Sequence, residues 1–226
     1  MNTTILAFDE AVRSRFSPRA FLPTPLTEEQ IRQIITDAQY SPSNSNTQPW
    51  HVHITSGETK NALEKGMMKN NSAGITTPDF TYNYADFYGD YFDRSQEQAR
   101  IYYEALGIAR GDTAKRYEAY LKNFSFFGAP HVAFLFMPSF GDNVRVASDM
   151  GMYAQTFLLS LAARGYAGIA QTLLGFHADV VRQILGVSEQ YRLLFGISFG
   201  YADPNVPTYH VRMGRVTVDE SVRFHN

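Results

Sequence analysis

Apolar positions recur along the chain with two periods, and the alternation between them predicts its elements. Ile5, Phe8, Ala11 and Val12 fall at helical spacing, which predicts a short amphipathic helix over about 3–14. Pro18, Pro23 and Pro25 keep the segment after it out of helix. Thr27 to Gln30 reads as a capping box, with Leu26 and Ile31 as its hydrophobic staple. Ile31, Ile34, Ile35 and Ala38 give the helix that follows one apolar face, ending before Pro42. Trp50, Val52 and Ile54 then alternate with His51 and His53, as in a half-buried strand. Ser56 is placed to cap a helix running to about Lys69.

Residues 70–128 carry no clean period. Asn70 to Tyr91 reads mostly as loop, and two helices are expected over about 94–107 and 112–123. Nothing there resembles a linker, so the stretch reads as a helical and loop excursion inserted into a single domain spanning residues 1–226. His131 to Met137 is a continuous apolar run of strand length, the mark of a strand buried on both faces. The longest helix is expected over 142–164, apolar on nearly every side from Met150 to Ala163 and ended by Gly165. Such a helix sits at a core centre or a subunit interface. Strands at Tyr166–Gln171 and Arg192–Gly200, a helix at 178–185 stopped by Gly186, and an irregular arm over 204–226 complete the pattern. Helices and strands alternate without a regular βαβ series, which indicates an α+β fold.

Composition narrows the function classes. The 226 residues can bury a sizeable core, and a net charge of −2 gives no global field toward nucleic acid or membrane. The absence of cysteine excludes disulfides, thiolate metal sites and a cysteine nucleophile, and suits a reducing cytoplasm. No run approaches the roughly eighteen apolar residues a membrane span needs, and the N-terminus lacks the pattern of an export signal.

Two polar segments stand out chemically. Ser41 to Trp50 (SPSNSNTQPW) is a proline-stiffened loop of short hydrogen-bonding side chains between a helix and a strand. Arg15-Phe16-Ser17-Pro18-Arg19 brings two guanidinium forks and a hydroxyl into one loop, a combination suited to an anion; Arg212 and Arg215 offer two more near the C-terminus. Rival signals are weaker. Gly196-Ile197-Ser198-Phe199-Gly200 has the form of a nucleophile elbow, but Asp203-Pro204-Asn205-Val206-Pro207 forbids the helix that must follow one. His51 and His53 share a strand face yet lack companions at ligand spacing, so no metal site is expected. No Gly-x-Gly-x-x-Gly or Walker loop is present.

The segments Arg15-x-Ser17-x-Arg19-x-Phe21 and Pro42-Ser43-x-x-Asn46-x-Gln48-Pro49 together resemble the FMN-dependent nitroreductase family. Gly165 to Gln171 is similar to that family's Gly-Leu-Gly-Thr strand, and the ending from Leu185-Gly186 through Phe195–Tyr201 to Arg212-x-x-Arg215 is similar to its C-terminal pattern. The resemblance covers roughly 12–54 and 126–226. It implies a three-layer fold with a mostly antiparallel central sheet flanked by helices, in an intertwined homodimer holding FMN between subunits. By the same resemblance Arg15, Phe16, Ser17 and Arg19 hold the phosphate, ribityl and pyrimidine edge. Pro42, Ser43, Asn44, Asn46 and Gln48 come to the isoalloxazine from the neighbouring subunit. Ala170, Gln171 and Thr172 pass a backbone amide near N5, and Arg215, with Arg212, closes the phosphate site.

The activity implied is NAD(P)H-dependent, ping-pong reduction of nitroaromatic or quinone-like acceptors, with no catalytic side chain because the flavin carries the redox chemistry. Dehalogenation or enone reduction on the same flavin, and non-catalytic FMN binding, are the alternatives. Two departures from the family pattern are visible: Met213 where some relatives carry lysine, and Tyr166-Ala167 in place of Leu-Gly. The aromatics Tyr82, Tyr84, Phe87, Tyr88, Tyr91 and Phe92 either line a pocket for a planar acceptor or belong to the core; the sequence leaves both open.

Overall fold

The computed structural model describes residues 5–225. In chain order its elements are α1 (Phe8–Ser14), α2 (Glu28–Gln39), β1 (His51–Ser56), α3 (Gly57–Ser72), α4 (Gly89–Ala105), α5 (Thr113–Leu121), β2 (His131–Pro138), α6 (Val144–Ala163), β3 (Ala167–Gln171), α7 (Ala178–Leu185), β4 (Tyr191–Gly200) and α8 (Val218–Ser221). The strands form one antiparallel four-stranded sheet in the order β1-β2-β4-β3.

β2 shows why the fold has three layers. Val132, Phe134 and Phe136 face one core with Leu63 and Met67 of α3 and Val181 of α7. Ala133, Leu135 and Met137 face the other, with Ile34 and Ala38 of α2 and Met150, Tyr153, Phe157 and Leu161 of α6. A strand apolar at every position is thus covered on both sides. α6 buries Met150, Tyr153, Phe157 and Leu161 in its layer, in keeping with the core-centre alternative, while Met152 and Gln155 stay exposed; burial pushes the Tyr153 phenol up to about 12.

The expected N-terminal cap of α2 and the expected glycine ends of α6 and α7 hold. Thr27 Oγ1 accepts from the Gln30 amide, and the Gln30 side chain accepts from the Thr27 amide. Gly165 (φ 76°) and Gly186 (φ 65°) take the left-handed conformation that ends α6 and α7. Other boundaries shift. Met1 to Thr4, at the start of the first expected helix, lie outside the described residues; Ile5 to Ala7 are not helical and α1 begins at Phe8. Ser56 sits at the start of α3, paired with His131 at the end of β1, and makes no capping bond. α4 begins at Gly89, earlier than expected, and has no buried residue, so no burial period marks its start. The C-terminal arm is irregular except for α8, one turn closed by a Thr217–Glu220 capping box.

The segment between α3 and α4 is fastened to the layer of α7. Thr77 pairs with His177, and the buried Asp79 carboxylate accepts from Arg182 Nη2 (2.6 Å), the Leu193 amide (2.6 Å) and Arg192 Nη1 (3.3 Å). This anchor holds the aromatic run 80–92 against the strand ends.

Candidate functional site

A cleft of about 1040 Å³ opens beside α1 and α6, lined by Arg15, Phe16, Ser17 and Arg19 from one end of the chain and Arg212, Met213 and Arg215 from the other. Gln98 and Tyr102 of α4, Gln155 of α6 and Arg13, which is paired with Asp9, also line it. Among the described residues no carboxylate lines this cleft, and none of Arg15, Arg19, Arg212 and Arg215 forms an ion pair. Burial, and secondarily the like charge of Arg215, pushes the Arg15 guanidinium below its ordinary value.

Local packing sets each side chain. Arg212 Cζ lies 3.9 Å from the centroid of the Phe16 ring, which in turn meets Tyr209 edge-on at 5.4 Å. Arg19 Nη1 donates to the Ser17 carbonyl (2.5 Å), and its Cζ lies 5.1 Å from the centroid of Tyr102. Burial also raises the Tyr102 phenol, an effect the neighbouring Arg19 opposes. An array of cations without counter-charge is costly unless an anion completes it. The donor set therefore fits a phosphate-bearing group.

A second cavity of about 450 Å³ adjoins the first and shares Arg19, Gln98 and Tyr102 with it. Ala170, Gln171 and Thr172, at the end of the edge strand β3, form one wall. Tyr82, Tyr84, Tyr103, Tyr120 and Asn123 of the excursion form the other. The aromatics of the excursion fall in different places. Tyr82 and Tyr84 line this cavity, Phe92 lines a separate groove on the outer side of α4, and Phe87, Tyr88 and Tyr91 line neither.

Pro42, Ser43, Asn44, Asn46 and Gln48 are not brought to either cavity within one chain. They form a loop on the outer side of α6, where the Asn44 amide donates to Asp149 Oδ1 (3.0 Å) and Ser41 Oγ donates to Thr156 Oγ1 (2.8 Å). Ser45, Asn46 and Gln48 all take positive φ (51°, 56° and 46°), and Ser43 Oγ accepts from the Gln48 amide (2.9 Å). The loop thus holds three non-glycine residues left-handed, with the Asn44, Asn46 and Gln48 side chains exposed.

The rival motifs have structural explanations. Ser198 is fully buried and donates its hydroxyl to Gln171, so it is no nucleophile. A Cβ at Gly196 would stand 2.5 Å from Leu174 Cδ1 and one at Gly200 2.8 Å from Pro130 Cδ, which accounts for both glycines by close packing. His51 stacks on Tyr191 (centroids 4.1 Å apart) and His53 meets Phe136 edge-on. Among the described residues no group of three potential ligands could hold a metal. Gln98, Tyr102, Tyr103 and Asn123 were missed by sequence reasoning. The one available signal was the four-residue spacing of Gln98 and Tyr102, which places them on one helical face.

With this geometry in place, the comparison with known proteins is direct. The profile of the nitroreductase family matches residues 12–201, and the chain belongs to that family. It is 41% identical over 218 residues to the nitroreductase NfnB of Mycolicibacterium smegmatis, covering 96% of this chain and 92% of that protein. It is 34% identical over 215 residues to the 4-nitrobenzoate reductase of Pseudomonas putida, covering 92% and 91%. The crystal structure of the FMN-dependent NfnB from Mycobacterium smegmatis in complex with NADPH superposes with a TM-score of 0.93 at 40% identity, covering 96% of this chain and 97% of that one.

Proposed function

We propose that the protein is an FMN-dependent nitroreductase that oxidises NAD(P)H and reduces nitroaromatic acceptors. The observation that carries this reading is the carboxylate-free arginine cleft joined to an aromatic cavity at the edge of the sheet; family membership and the NADPH-bound relative support it. When bound, the flavin supplies the two-electron chemistry between nicotinamide and acceptor.

The chain's own residues bind and orient. Arg15, Ser17, Arg212 and Arg215 hold the phosphate and ribityl, and Phe16 keeps Arg212 in place from beneath. Arg19, braced by Ser17 and Tyr102, sits between the two cavities and holds the pyrimidine edge. The backbone of Ala170, Gln171 and Thr172 lies along the reacting edge. Tyr82, Tyr84 and Tyr103 wall the acceptor side and exclude water from it.

The functional unit is a homodimer, in which Pro42, Ser43, Asn44, Asn46 and Gln48 of one subunit complete the site of the other. Support comes from apolar side chains left on the outer surface: Phe8 is 76% exposed, Tyr40 85% and Phe224 80%. A cysteine-free chain with no helix long and apolar enough to cross a membrane among its described residues suits a cytoplasmic enzyme.

The absorption spectrum of the purified protein tests the reading, together with NADPH oxidation on adding 4-nitrobenzoate. A yellow protein with acceptor-dependent turnover is expected. A colourless protein that takes up no FMN would overturn it. Light scattering at micromolar concentration tests the dimer, and a flavin-loaded monomer would count against it.

A further inference from the structure

Gln171 contributes backbone to the acceptor cavity, but its side chain turns inward. It is buried at the end of β3, and the hydroxyl of the fully buried Ser198 on β4 donates to its Oε1. Its Nε2 donates to the Asn123 carbonyl (3.1 Å) and to Asn123 Oδ1 (3.3 Å). A backbone carbonyl accepts and never donates, so the amide has one consistent orientation: nitrogen toward Asn123, oxygen toward Ser198. Every polar group of the side chain is used.

Asn123 is where the excursion returns to the sheet. Its Nδ2 donates to the Tyr120 carbonyl (2.9 Å), closing the end of α5. The chain then turns through Phe126 and Phe127, two bulky residues both at positive φ (57° and 52°). The Phe127 carbonyl accepts from the Phe21 amide (3.1 Å), just beyond Arg19. This strained turn is therefore held at one end by Gln171 and at the other by the arginine segment. Tyr120, Asn123 and Phe127 line the same cavity as Ala170 and Thr172.

We propose that the Gln171 side chain is a positioning residue: it latches the excursion to the sheet edge, and so fixes the tyrosine wall of the acceptor cavity against the backbone at 170–172. The proposal rests on the nitroreductase reading above and adds to it the residue that sets acceptor fit. Gln171 acts through Asn123 and touches no reacting atom with its side chain. An apolar side chain of the same length would leave the Asn123 carbonyl and the Ser198 hydroxyl unpaired, and the excursion free to shift.

The test uses holoenzyme carrying Gln171→Met, which removes both hydrogen-bonding groups at similar volume, and Gln171→Glu, which keeps the acceptor for Ser198 but loses the donor to Asn123. For Gln171→Met, KM for 4-nitrobenzoate should rise about tenfold, the loss of one buried hydrogen-bonded link. Turnover with ferricyanide, an outer-sphere acceptor that needs no cavity, should fall much less than turnover with 4-nitrobenzoate, so that the ratio of the two shifts toward ferricyanide. Amide exchange should quicken over residues 120–128 and not over 15–19. Gln171→Glu should show a KM defect that shrinks as pH falls from 8 toward 5.5, because the protonated carboxyl regains a donor for Asn123. A Gln171→Met enzyme with KM within twofold of wild type, or one equally impaired with ferricyanide, would overturn the proposal. So would a pH-independent defect in Gln171→Glu. A wild-type protein that binds no FMN is a different outcome and overturns the functional reading itself.

Discussion

Arg212 is clamped against Phe16, whereas Arg215 is not. The Arg212 guanidinium sits over the ring at 3.9 Å and donates to the carbonyls of Tyr209 (2.6 Å) and Val211 (3.0 Å). Arg215 donates only to its neighbours' carbonyls, Met213 and Gly214, and presses its charge on Arg15. Arg215 is thus the less constrained of the two guanidinium groups. Arg215→Ala should weaken FMN binding by roughly tenfold to a hundredfold, the worth of a charge-assisted contact. Reduction of the remaining bound flavin by NADPH should proceed at the wild-type rate. The melting temperature of the apoprotein should hold or rise, since a like charge has been removed from beside Arg15. Equal loss in Arg212→Ala and Arg215→Ala would show that both arginines hold phosphate equally.

Asp79 is the anchor of the excursion's first half. Its side chain is 6% exposed and that of its partner Arg182 11% exposed. Asp79→Ala leaves the buried Arg182 guanidinium with only the exposed Asp179 (3.2 Å) and the Tyr191 carbonyl (3.3 Å), and should cost about 3 kcal/mol, the low end for breaking a buried pair. Thermal melting of holoenzyme measures the loss. The released Tyr82 and Tyr84 wall should also raise the KM for nitroaromatics, which initial-rate kinetics on the surviving folded fraction will read.

Burial holds His53, His131 and His177 below the ordinary imidazole value, and His51 adds to the effect on His53. His131 Nε2 accepts from the Leu26 amide, which a protonated nitrogen cannot do. Because the folded values lie below the unfolded value of about 6.5, the unfolded chain takes up protons first as pH falls. This stability is complete above the unfolded value and is lost on acidification toward the folded ones. The melting temperature should therefore fall between about pH 7 and pH 5, and fall less in His177→Phe. A melting temperature that rises over that interval would refute the assignment.

Gly196→Ala should destabilise by about 1–3 kcal/mol, because the new methyl group meets the fully buried Leu174. Ser198→Ala should leave any esterase background untouched. Chemical denaturation and a p-nitrophenyl acetate assay distinguish this packing account from a nucleophile elbow.

Much of this architecture was legible because burial left a period in the sequence. β2 reads as buried on both faces because Val132 through Met137 have no polar alternate, and α2 and α6 announce themselves through caps and apolar density. The anion cleft was legible as chemistry, since Arg15, Ser17 and Arg19 are crowded into one loop. α4 was not legible at its start. It buries no residue, so its aromatics follow no helical stripe. The smaller cavity is formed between that excursion and the end of β3. Such a pairing across the fold leaves no local pattern, and Tyr102 or Asn123 cannot be told from neighbouring tyrosines and asparagines until the chain is folded.

The arginine-lined cleft takes one wall from residues 15–19 and the other from residues 212–215. During synthesis the first wall leaves the ribosome long before the second exists, and the sheet between them can pair meanwhile. Capture of the cofactor therefore belongs to the last stage of maturation, after the long loop joining the two walls has been closed by the packing of everything in between. FMN cannot template the early collapse of this chain. What it can do is trap the finished form, so scarcity of FMN should appear in the cell as a folded but colourless pool and not as misfolded protein.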